Sequence, residues 1–165
     1  MRNTFRFYFL AIAVLFSFVA IGQKSPPATV EGKGGAASIT IKYSQPSAKG
    51  RKIMGDLVPY DKVWRTGADN STSINLSAPV KVEGQDLAAG TYAIFTIPGE
   101  KEWTIIFNKT IAWGHYSYKQ DDDVLRVKVK PSKTDSFVET FNISIANDKV
   151  ILKWENTQVA VGVKG

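Results

Sequence analysis

Tyr60, Trp64, Arg65 and Asp69 fall within one short run, VPYDKVWRTGADNSTSI, from Val58 to Ile74. Their types suggest recognition of an anion or a sugar. The planar guanidinium of Arg65 matches a carboxylate, sulfate or phosphate, and each charge-assisted hydrogen bond is worth about 1.5–3 kcal/mol. The ring of Tyr60 or Trp64 offers a face to a sugar. A structural reading competes: Arg65 could latch the loop through carbonyls, Asp61 or Asp69, with Trp64 filling the edge of the core and Arg stacked on Trp. Drawn as a strand, the run puts Tyr60, Lys62, Trp64 and Thr66 on one side and Asp61, Val63 and Arg65 on the other. Neither side is purely apolar or purely polar. The expectation is therefore a bent, constrained segment anchored by Trp64, reversed at Gly67, and turned by Asp69, Asn70 and Ser71 into the next strand.

A second cluster, WGHYSYKQDDD from Trp113 to Asp123, holds the single histidine of the chain. His115 could act as a general base or a metal ligand, with Tyr116, Tyr118 and the acidic run close in sequence. One histidine is a poor basis for zinc, which favours several nitrogen or sulfur ligands. The Asp121–Asp123 run lacks the alternate spacing and the turn glycine of a calcium loop. There is no G-x-S-x-G elbow for a serine nucleophile. Asp61, Asp69, Glu100 and Asp123 all sit in turn contexts that define no carboxylate pair. No catalytic residue, metal site or cofactor is assigned; the expected ligand-contact set is Tyr60, Trp64, Arg65, Asp69, Trp113, His115 and Tyr118. A third feature, Arg126, Lys128 and Lys130, projects cations from one strand face about 7 Å apart. It could touch an acidic polysaccharide or a headgroup layer, but such a ladder is more often the wet face of a strand, or an edge defended against sheet addition.

The elements that must hold these residues read as strands. SITIKYS, TSINLS, VKVEG and DVLRVKVK alternate apolar and polar residues, and turn residues interrupt the pattern every ten residues or so. TYAIFTIP and EWTIIF have almost no polar face, as expected of a central hairpin covered on both sides and turned at Pro98–Lys101. FVETFNISI, KVILKWE and TQVAVGV follow, with turns expected at Asn147-Asp148 and at Asn156. No eleven-residue segment after residue 22 shows a convincing helical period. The fold expected is all-β, eight to ten strands in a single antiparallel sandwich of jelly-roll or immunoglobulin-like kind, with a closed barrel as the alternative.

The ends of the 165-residue chain differ in character. Arg2 and Arg6 precede an apolar run, Phe7 to Ile21, and Ala20 and Gly22 fit the positions before a signal-peptidase cut. The expectation is an exported protein, periplasmic or extracellular, cleaved between Gly22 and Gln23, with no membrane span in the mature chain because the run is shorter than the roughly 20 residues that cross a bilayer. Residues 23–37 read as a linker with one short extended piece at Ala28–Val30, and 38–165 as the domain. Removing residues 1–22 takes away Arg2 and Arg6 and no acid, leaving 19 basic against 15 acidic side chains and a formal charge of +4. That balance favours anionic partners but has no basic stripe for nucleic acid. Cysteine is absent, so no disulfide, thiol nucleophile or lipidated cysteine is available. The partner expected is a small-molecule or glycan ligand, and nothing in the pattern sets an oligomeric state.

The stretches YSQPSAKGRKIMGDLVPYDKVWRTGA, LAAGTYAIFTIPGEKEWTIIFNK, WGHYSY and DVLRVKVKP resemble an exported bacterial family known as domain of unknown function 2911, over about Ser25 to Val163. The resemblance implies an export signal and an all-β domain, and carries no catalytic role onto any residue. One departure is Gln45, where the family pattern has arginine in Tyr-Ser-Arg-Pro.

Overall fold

A computed structural model describes residues 24–111 and 118–165. Trp113 and His115 of the expected contact set, and Tyr116 beside them, lie outside the described residues. The described chain is an antiparallel β-sandwich of ten strands. They are β1 (Pro27–Gly34), β2 (Ala37–Ser44), β3 (Thr72–Leu76), β4 (Val80–Val82), β5 (Gln85–Leu87), β6 (Gly90–Ile97), β7 (Trp103–Asn108), β8 (Asp123–Val129), β9 (Ser132–Ala146) and β10 (Lys149–Lys164). One sheet runs β1-β2-β3-β6-β7-β8 and the other β5-β4-β10-β9. The sheets do not close into a barrel, since β1 and β8 bound the first and β5 and β9 the second. Among the described residues no helix is long and apolar enough to cross a membrane.

Alternation decides which side chains face inward. Ile39, Ile41, Ile74, Leu76 and Ile105 of the larger sheet meet Phe141, Ile143, Leu152, Trp154 and Val161 of the smaller one in one core. Each such side chain contributes about 1.5–3 kcal/mol on burial. The central hairpin β6–β7 is apolar on its outer face too. Ala93, Phe95 and Ile106 are fully buried there beneath Val63, Ile97 and Tyr118. Strands without a polar face thus acquire a second layer of cover, as their composition predicts.

Two expectations need correction. Within the stretch expected to be a linker, a full strand is present: β1 pairs with β2 along its full length, from Pro27 against Ser44 to Gly34 against Ala37. Its inward positions, Ala28, Val30, Gly32 and Gly34, are mostly too small to register as an apolar period. The reason is close approach. A Cβ on Gly32 would lie 2.5 Å from Ile145 Cγ2, and one on Gly34 would lie 2.5 Å from the Val163 carbonyl oxygen. The second correction is at Asn156, which starts no new strand. KVILKWE and TQVAVGV are one strand, β10, interrupted by a bulge at Glu155, whose φ is 55°. A bulge uses the same residue types as a turn but leaves the strand continuous. The turn at Asn147-Asp148 is present, with both residues at positive φ (51° and 55°), as a tight hairpin requires.

Candidate functional site

The connection between β2 and β3, residues 45–71, is far longer than a sandwich hairpin needs, and long irregular connections are usually functional. It is fastened at three places. Near its start, Ala48 N–H donates to the Glu139 carbonyl (2.8 Å), Phe141 N–H donates to the Pro46 carbonyl (2.9 Å), and the Glu139 carboxylate takes the Lys49 N–H (2.7 Å). In its middle, the Glu155 carboxylate at the β10 bulge accepts from the amides of Ile53 (3.2 Å) and Met54 (3.4 Å). Near its end, Trp64 pairs antiparallel with Thr96, with N–H to O distances of 2.7 and 2.9 Å, occupying the place in the sheet that β3 leaves empty.

That pairing explains the mixed faces of the run from Val58 to Ile74. Trp64 turns inward, against Phe141 (5.1 Å between centroids), Trp154 (5.8 Å, stacked) and Trp103 (6.4 Å). Val63, next in the alternation, joins the outer apolar layer. Beyond Trp64 the backbone is forced. Thr66 at φ 59° and Asp69 at φ 56° are left-handed, a costly state for a β-branched threonine, and Gly67 is at φ 147°. Hydrogen bonds hold that shape: Trp64 Nε1 donates to the Gly67 carbonyl (3.1 Å), Thr66 Oγ1 to Thr96 Oγ1 (3.1 Å), and the Thr72 hydroxyl to the Thr66 carbonyl. Trp64 is the anchor the sequence suggests, and Gly67 is the reversal.

The connection walls a cleft of about 770 Å3. Four cations line it: Lys49 and Arg51 from one limb, Lys62 and Arg65 from the other. Arg51 is set in place by Nε on the Ala48 carbonyl (2.9 Å) and Nη2 on the Ser47 carbonyl (2.7 Å). Leu57, Val58, Pro59 and Ala68 supply apolar wall, with Trp64 and Trp154 behind them. Among the described residues, no Asp, Glu, Asn or Gln lines it. The neighbouring carboxylates of Glu139 and Glu155 are turned onto backbone amides instead.

The expected contact set is therefore divided. Trp64 and Arg65 share the cleft, while Tyr60 and Asp69 do not line it. Tyr60 packs against the core, close over Gly55. Burial, then the charges of Glu100 and Glu155, hold its phenol above the ordinary value. Tyr118 is on the outer face of the larger sheet against Phe95, at 5.0 Å between centroids. Its hydroxyl donates to Asp123 Oδ2 (2.8 Å) and accepts from Arg126 Nη2. Sequence reasoning missed Lys49, Arg51 and Trp154. The first two belong to the long motif KGRK, a cluster of charge in an otherwise sparse region; Trp154 is an inward position of a strand, with no local signal of its own.

The cation ladder on β8 is occupied at two of its rungs. Arg126 Nε is 2.7 Å from Asp123 Oδ2, and Lys128 is 2.7 Å from Glu102. Gln45 bonds Tyr43 Oη (3.1 Å) and the Phe141 carbonyl (3.4 Å), bridging the sheets beside the cleft.

Tyr118 makes a pH prediction. Burial, followed by its bond to Asp123, raises its phenol pKa, and Arg126 offsets this only in part. The neutral phenol is thus favoured in the fold, so its stabilising contribution is full below the ordinary value near 10 and is lost as pH rises through the raised folded value. Denaturation midpoints of wild type should fall above about pH 10 more steeply than those of Tyr118→Phe. Parallel alkaline limbs would contradict it.

The family described as protein of unknown function (DUF2911) has a model that matches residues 25–163. No curated protein and no solved structure matches the chain. The family match spans β1 to the last residue but one of β10, including the whole connection that walls the cleft. The chain belongs to the DUF2911 family of proteins of unknown function.

Proposed function

We propose that this protein is an exported, non-enzymatic module that binds a small anionic ligand in the cleft between residues 46–51 and 57–68. One observation carries the reading: four cationic side chains and no carboxylate line a cleft of about 770 Å3, a size typical of small-molecule sites. Clustered cations raise the local concentration of an anion. Cations without a carboxylate beside them among the described lining residues support anion binding there. The basic, apolar character of residues 1–22 supports export.

Thermal shift against carboxylates, phosphates and sulfates at low salt tests the reading. A ligand at about a hundred times its Kd should raise Tm by about 5–10 °C. Lys62→Ala and Lys49→Ala, both at exposed positions, should each weaken binding about tenfold, as should Arg65→Ala. Equal shifts in wild type and all three variants, or no shift with any anion, would overturn it.

A further inference from the structure

Resting on the cleft as an anion site, we infer that its ligand is an amphipathic acid, with one anionic head and an apolar body, free in solution. Three observations point there. The first is what the cleft leaves unavailable. Trp64 Nε1 is already bonded to the Gly67 carbonyl, and Trp154 Nε1 donates to the Glu139 carbonyl at 3.2 Å, so both indoles show the cleft only apolar surface. The Ser47 hydroxyl is engaged with Thr140 Oγ1 at 3.1 Å. A neutral sugar, which needs paired donors and acceptors along its hydroxyls, finds neither carboxylate nor amide side chains among the described lining residues.

The second observation is size. The cleft corresponds to about 25 water volumes, far more than an inorganic oxyanion displaces. Cations alone would fill such a space with solvent. The third is Leu57, a large apolar side chain left 44% exposed on the cleft wall, beside Val58 and Pro59. Exposed leucines are common singly, but this one is continuous with apolar wall in a cleft that cations from both limbs also line. A concavity lined by both cations and apolar side chains selects a ligand that carries both an anion and apolar surface.

The test is a calorimetric titration of the purified protein with straight-chain carboxylates from acetate to decanoate, together with inorganic phosphate, decanol, and vesicles of phosphatidylglycerol. Each added methylene should tighten Kd about two- to fourfold until the cleft is filled. Decanol should bind at least about tenfold more weakly than decanoate, by the loss of one charge-assisted contact. Leu57→Ser should flatten the chain-length series, each methylene gaining less than in wild type; Lys62→Ala should weaken the whole series. Phosphate or acetate binding as tightly as decanoate would overturn the amphipathic ligand and leave the anion site standing. Binding to the vesicles with none to monomeric acids would also overturn it, assigning the surface to membrane. No binding of any anion would remove both the inference and the reading beneath it.

Discussion

Trp64→Ala is expected to lower the unfolding free energy by about 3–4 kcal/mol, the lower part of the range for a large aromatic removed from a core. The ring contacts three other aromatics at once, Phe141, Trp154 and Trp103. It also donates to the carbonyl of Gly67, so its loss releases the left-handed backbone at Thr66 that the neighbouring bonds restrain. Trp64→Phe keeps most of the packing and loses the N–H bond, and should cost about 1 kcal/mol for that bond in addition to the smaller ring volume. Urea denaturation of the two variants distinguishes these terms. A cost below about 1 kcal/mol for Trp64→Ala would mean that the ring is not the anchor of the connection.

Asp123→Ala carries the second large effect. The carboxylate is 9% exposed and takes three donors: Asn108 Nδ2 at 2.8 Å, Tyr118 Oη at 2.8 Å and Arg126 Nε at 2.7 Å. Asn108, itself fully buried, continues the network to the Lys119 carbonyl at 2.9 Å and the Thr110 N–H at 2.9 Å. Removing the acceptor leaves buried donors unsatisfied, while the 35% exposure of Arg126 lets water screen its share. The expected loss is about 2–3 kcal/mol. Asp123→Asn should recover little, because with Oδ1 still accepting from Asn108 its new amide group must face the N–H of Arg126. Denaturant midpoints of both variants close to wild type would show the network to be dispensable.

Much of the fold was legible because apolar alternation is local. β2, β8 and the end of β9 declare themselves residue by residue, and the double-sided apolar character of β6 and β7 predicts the outer layer that Val63, Ile97 and Tyr118 provide. The failures have the opposite cause, a constraint imposed by a distant element. β1 is hard to recognise because Ile145 and Val163 leave room only for glycine at Gly32 and Gly34. Glu155 looks like the approach to a turn because its backbone bulges, a bulge that aims its carboxylate at residues 53 and 54.

The site divides along the same line. Trp64 and Arg65 were readable because their run mixes types in a way that a strand serving only the core would not. The grouping was not readable. Tyr118 is close to the acidic run in sequence and is held by it in space, whereas the cleft joins Trp64, bridged to the larger sheet at Thr96, to Trp154 of the smaller sheet, ninety residues later in the chain. The aromatic face of Trp64, a natural platform for a sugar in sequence terms, is largely spent on other rings. What remains toward the cleft is charge and apolar wall.

The central claim, that this wall binds anions, is tested most directly by amide and indole chemical-shift mapping during titration with decanoate. The account predicts that shifts concentrate at the backbone amides of Lys49, Arg51, Lys62 and Arg65 and at the indole N–H groups of Trp64 and Trp154, saturating together with one Kd. Shifts centred on Arg126 and Lys128 of β8, with those six positions unmoved, would contradict it.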